Sequence, residues 1–142
     1  MTATPRLFTR EEAERTLPLV RRIVQDLMLE HPVWRRAVSH YELLVGGTRA
    51  DEEESAELRA ARQAAEHLAA RIDGYLRELD QVGCLFRGFE EGLVDFHSMR
   101  DDRLVLLCWR YGEERITHWH EVDAGYAGRR PIDESLVTAV KE

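Results

Sequence analysis

Apolar positions in the first half of the chain recur in steps of three and four. Ala13, Leu17, Val20, Val24, Leu27, Trp34, Val38, Tyr41 and Val45 form one seam, with His31 in its gap; Leu58, Ala61, Ala65, Leu68, Ile72, Tyr75, Leu79 and Val82 form another. Each seam predicts an amphipathic helix. Thr9 followed by Glu12 is a capping box, in which hydroxyl and carboxylate satisfy each other's backbone amides, so the first helix is expected to start near Arg10. Pro18 and Pro32 lack an amide donor and crowd the preceding turn, which predicts a kink at each and a break near His31-Pro32. Gly46-Gly47-Thr48 punctuates the chain, the acidic run Asp51 to Glu54 suits the start of a second helix, and Gly83 is its stop. Two stretches of near-equal length, each spanning about 45 to 50 Å, joined by a short turn, predict an antiparallel pair. Leu19, Ile23, Leu43, Leu44, Ala64 and Leu76 widen the apolar surface. It has to be covered by the C-terminal half or by a second copy in a four-helix dimer core.

After Gly83 the period shortens to that of strands. Cys84 to Phe89, Leu93 to Met99, Arg103 to Arg110 and Arg115 to Val122 are separated by turn-forming Glu90-Glu91-Gly92, Arg100-Asp101-Asp102 and Tyr111-Gly112-Glu113. A meander is the simplest connection. The unbroken apolar run Val105 to Trp109 belongs to a central strand covered on both faces. The predicted fold class is therefore α+β: a long antiparallel helical hairpin followed by a three- to four-stranded antiparallel β-meander. Beyond Val122, two glycines and a proline within Asp123 to Pro131 predict an ordered loop, and Leu136 to Val140 a final strand or helical turn.

The length of 142 residues fits a single domain, with residues 8–82 as the hairpin, 83–122 as the sheet and 123–142 as loop and C-terminal segment. No apolar run approaches the roughly 18 residues that would span a bilayer, so no membrane association is expected. A formal charge of −7 argues against duplex nucleic acid as a partner. The N-terminal stretch lacks the apolar core of a signal peptide, which makes the cytoplasm the expected compartment and leaves Cys84 and Cys108 reduced.

Candidate chemistry concentrates at His118-Trp119-His120-Glu121. On a strand, residues two apart share a face, so His118 and His120 present their imidazoles side by side, as do Asp95 and His97 on the strand expected across the central one. With a three-residue loop at Arg100 to Asp102 and a two-residue turn at Gly112-Glu113, His97, Val105 and His120 align, as do Asp95, Leu107 and His118. All four polar residues then share a face and form a metal site for a divalent transition ion, zinc or iron, with Glu121 or Glu113 as candidate base. A one-residue slip would send the pairs to opposite faces and bring Cys108 to Asp95 and His97. The competing expectation is a solvated histidine face, with Trp119 packed on the helices. Gly125, Gly128 and Arg129 form a second candidate, an anion-holding loop that lacks the P-loop pattern. No histidine follows a glutamate by three on the helical seams, which excludes a bundle di-iron site; residues 28, 37 and 64 are Met28, Ala37 and Ala64.

Several blocks carry a resemblance: Phe8-Thr9-Arg10-Glu11-Glu12-Ala13 with Leu17-Pro18-Leu19-Val20, Gly92-Leu93-Val94-Asp95-Phe96, Leu107-Cys108-Trp109 with Gly112-Glu113, and Trp119-His120-Glu121 with Asp123-Ala124-Gly125 and Ala127-Gly128-Arg129. From about Leu7 to Pro131 the chain resembles an uncharacterised bacterial family known only as a domain of unknown function. The resemblance implies no activity. It implies a shared polar set of Asp95, Cys108, Glu113, His120, Glu121, Asp123 and Arg129, whereas the family pattern often has proline at position 97 and an aromatic residue at position 118. The leading functional expectation is a small metal-binding protein, an accessory enzyme if a coordination position stays open, with a small-molecule ligand left unspecified. The other is a self-associating interaction module built on the hairpin.

Overall fold

The fold is described from a computed structural model over residues 5–133. Thr9 caps helix α1 (Arg10–Gly46) as its sequence predicts, with the Glu12 amide donating to Thr9 Oγ1 at 3.0 Å and the Thr9 amide donating to Glu12 Oε1 at 2.8 Å. Ser55 caps helix α2 (Ala56–Val82), which stops at Gly83 in the left-handed conformation, φ 101°. The expected break at His31-Pro32 does not occur: α1 runs 37 residues with Pro18 and Pro32 inside it. Both prolines lie on the exposed side, where water can take the carbonyl that loses its donor. His31 stacks on Phe89 at 3.8 Å between ring centroids, which ties this stretch of helix to the turn after the first strand. The helices are also less equal than expected, because α2 has 27 residues.

Across the hairpin, Arg71 grips Glu30 with both ends of its fork, Nε to Oε1 at 2.7 Å and Nη2 to Oε2 at 2.9 Å, while the Tyr75 hydroxyl also donates to Glu30. The Arg71 hydrogen bond, then that of Tyr75, holds the Glu30 carboxyl below its ordinary 4.5. A depressed carboxyl stabilises the fold above its unfolded value, and that contribution is lost as pH falls through the lower, folded one. Glu30→Gln is therefore expected to cost about 1 kcal/mol near neutrality, and its thermal midpoint to converge with that of the parent as pH is lowered below 4.5. A gap in thermal midpoint that does not narrow as the pH is lowered below 4.5 would contradict this.

The sheet is a meander of five antiparallel strands in sequential order, β1 (Leu85–Gly88), β2 (Leu93–Arg100), β3 (Arg103–Arg110), β4 (His118–Glu121) and β5 (Arg130–Pro131), with a 3₁₀ turn at Tyr126–Gly128. The count exceeds the expected three or four because Arg130 and Pro131 pair with Trp119 and His118, a strand too short to leave a periodic trace. The expected element at Leu136 to Val140 lies outside the described residues. One face of the sheet, with Val94, Phe96, Val105, Leu107, Trp109 and Trp119, packs on Leu17, Val20, Val24 and Leu27 of α1 and Ile72 and Leu79 of α2. Each such side chain removed from water contributes on the order of 1.5 to 3 kcal/mol. The N-terminal segment completes the edge of β2 beyond β1, where the Phe8 amide donates to the His97 carbonyl at 2.8 Å and Ser98 Oγ donates to the Phe8 carbonyl at 2.6 Å.

Register differs from expectation by one residue on each side of β3. Asp101 and Asp102 take left-handed angles, φ 51° and 63°, and close a two-residue hairpin with Arg100 opposite Arg103, so no third loop residue is needed. The connection from β3 to β4 is longer than a two-residue turn, running from Tyr111 to Thr117. It is held by the buried Ile116, whose amide donates to Glu14 Oε2 at 2.9 Å, and by Trp109 Nε1 donating to the Glu113 carbonyl at 2.8 Å. The rows across the sheet are therefore His97, Leu106, His120 and Asp95, Cys108, His118. The two slips cancel between β2 and β4, and the central residues of the polar face become Leu106 and Cys108. Among the described residues no helix is long and apolar enough to cross a membrane.

Candidate functional site

On the sheet face away from the hairpin, Asp95 of β2 sits directly opposite Cys108 of β3, and His120 of β4 lies diagonally across from Cys108. The three are 3%, 1% and 2% exposed, and one potential ligand atom from each lies within 4.8 Å of the others. The imidazole is fixed at both nitrogens. His120 Nδ1 is 2.7 Å from the Glu121 carbonyl oxygen, and Nε2 is 3.2 Å from Asp95 Oδ1. A carbonyl only accepts, so Nδ1 carries the hydrogen and Nε2 of the neutral ring presents its lone pair toward a carboxylate oxygen. Two acceptors at that distance need a proton or a cation between them.

Arg87 of β1 donates from Nε to the other carboxylate oxygen, Asp95 Oδ2, at 3.1 Å. Burial, then the neighbouring Asp95, pushes the Cys108 thiol up to about 12. A protonated thiol is a poor nucleophile, and neither ring nitrogen is hydrogen-bonded to it, so the geometry is not that of a cysteine–histidine hydrolase. A bound divalent ion reverses this, because coordination deprotonates a thiol outright.

The three donors open onto a cavity of about 340 Å³. Its other walls come from Arg87, Leu93, Val122, Asp123, Gly125 and Tyr126. The loop after β4 is pinned there by Arg129, whose Nη2 donates to the Cys108 carbonyl at 3.2 Å and to Glu113 Oε1 at 2.9 Å.

Of the sequence-predicted residues, Asp95 and His120 come together, joined by Cys108, which the leading site had not included. His97 and His118 share the face and are half-buried outside this cluster. Burial lowers the tendency of both rings to protonate, with Arg87 adding to the effect at His97 and Arg129 at His118. The candidate bases are committed elsewhere: Glu121 accepts from Arg103 Nη2 at 2.9 Å, and Glu113 holds Arg129. Gly125 lines the cavity, while the Arg129 guanidinium of the suggested anion loop is engaged with Glu113 and a carbonyl, and Gly128 closes the 3₁₀ turn. Two signals pointed to Cys108. The rule that a register slip brings it to Asp95 was one, and its place among the shared polar residues of the resemblance was the other.

The chain belongs to the DUF2203 family of uncharacterized conserved proteins, whose pattern matches residues 6–132. No curated protein and no solved structure matches it.

Proposed function

We propose that this member of the DUF2203 family binds one divalent transition metal ion, zinc or iron, through His120 Nε2, Cys108 Sγ and a carboxylate oxygen of Asp95. The observation that carries the reading is the 2.7 Å contact of His120 Nδ1 with the Glu121 carbonyl. Metal-binding histidines commonly donate their second ring nitrogen in this way, which fixes the tautomer and aims the lone pair of the first. Around a tetrahedral ion with bonds of about 2.0 to 2.3 Å, ligand atoms stand roughly 3.3 to 3.8 Å apart. The His120–Asp95 separation of 3.2 Å is already close to that, and small rotamer changes bring the thiol in.

A mixed nitrogen, sulfur and oxygen set suits zinc best, and three protein donors beside a cavity leave a fourth position for water or substrate, as in catalytic rather than structural sites. Such an ion would supply Lewis acidity or a hydroxide near neutral pH. A cytoplasmic setting accords with this, since Cys108 has to remain a free thiol.

Native mass spectrometry with elemental analysis, on protein supplied with zinc and then dialysed, tests the reading. About one equivalent is expected in the parent and well below one in His120→Ala, with helical circular dichroism retained. An unchanged metal content in the variant overturns it. The same spectra address a second reading, self-association through the hairpin, which is favoured by Leu29 and Leu43 standing 64% and 77% exposed on α1. A dimeric mass is expected on that reading, and a monomer at micromolar concentration contradicts it.

A further inference from the structure

Arg87 occupies an unusual place in the sheet. The pairing of β1 with β2 steps from Phe86–Val94 to Gly88–Leu93, so Arg87 is the extra residue of a bulge, a device that re-aims a side chain next to a site. It is the one cation lining the cavity among the described residues. Its Nε donates to Asp95, while neither Nη nitrogen donates a hydrogen bond among the described residues. One forked edge of the guanidinium is thus anchored on a buried carboxylate and the other remains available.

Resting on the metal reading above, we infer that the cavity takes a small aliphatic carboxylic acid, its carboxylate held by the Nη edge of Arg87 beside the open coordination position. A planar monoanion matches one guanidinium edge in a bidentate pair, whereas a phosphate dianion would call for further cations that the lining lacks. Leu93 and Val122 supply apolar wall for a short hydrocarbon part, and about 340 Å³ lies at the small end of ligand cavities. Asp123 also lines the mouth and, like Arg87, is exposed, so water and salt screen both charges and the planar fit to the Nη edge, rather than net charge, favours a carboxylate.

The test uses the full chain loaded with cobalt(II), whose visible absorption reports on the coordination sphere, titrated with propionate, propionamide and inorganic phosphate. Propionate is expected to shift the bands saturably, with propionamide and phosphate much weaker. Arg87→Gln should weaken propionate at least about tenfold while still holding one cobalt. Equal propionate affinity in parent and variant overturns the inference, as does tighter binding of propionamide or phosphate. A cobalt-loaded parent that ignores propionate sinks this inference alone; a parent that takes up no cobalt sinks the metal reading beneath it.

Discussion

Gly92→Ala is expected to lower the free energy of unfolding by about 3 kcal/mol and the thermal midpoint by about 10 °C, read by calorimetry or circular dichroism. Gly92 sits just before β2 at φ 67°, in the left-handed region where a side chain is strained. A Cβ placed there would stand 2.7 Å from Tyr111 Cβ, 2.8 Å from Met28 Sδ and 2.9 Å from Val24 Cγ1. The carbonyl of the same residue accepts from the Tyr111 amide at 3.0 Å, so the backbone cannot withdraw without opening the β2–β3 pair. Helix α1 crosses here against the sheet, and the absence of a side chain is what lets it approach. Gly112 separates the two contributions: its φ is 104°, but nothing lies within 4 Å of an added Cβ, so Gly112→Ala carries the conformational strain alone, about 1 kcal/mol. Equal losses at the two positions would show that close packing at Gly92 contributes nothing.

Cys108→Ser is expected to weaken zinc binding by at least about a hundredfold in competition with a chromophoric chelator, because it replaces a thiolate by a hydroxyl that does not ionise near neutral pH. The fold should survive. A serine hydroxyl placed opposite Asp95 can donate to its carboxylate, and the position faces the loop-covered side of the sheet, outside the main core cluster. A stability change within about 1 to 2 kcal/mol is therefore expected, which keeps loss of metal distinguishable from loss of structure. Zinc affinity unchanged in this variant would remove Cys108 from the ligand set and leave Asp95 and His120 as a buried polar pair.

Local signals carried the hairpin. The Thr9–Glu12 box, the three-and-four seams and Gly83 set its ends to within a residue or so, because capping and amphipathic period are short-range properties. The continuity of α1 was not legible, since whether a proline breaks a helix depends on which side it faces and on what packs nearby, here the Phe89 ring against His31. Register is hidden in the sequence for a similar reason. Asp101-Asp102 can serve as a two-residue turn or as part of a longer loop, and the buried Ile116 behind the long β3–β4 connection shows no period of its own. Because the two slips cancel between the outer strands, the pairing of the Asp95 row with His118 and of the His97 row with His120 was anticipated, while the residue between them was not. The candidate site was thus half visible: two of its donors came from face parity, and the third, Cys108, required the register or the shared polar set of the family resemblance.

X-ray absorption at the zinc edge of the zinc-loaded protein reads the ligand set of His120, Cys108 and Asp95 without recourse to activity. A single sulfur scatterer at about 2.3 Å is expected together with nitrogen and oxygen scatterers near 2.0 to 2.1 Å, an imidazole among them, and loss of the sulfur shell in Cys108→Ser. A shell made only of nitrogen and oxygen in the parent protein, or one with several sulfurs, would contradict that ligand set.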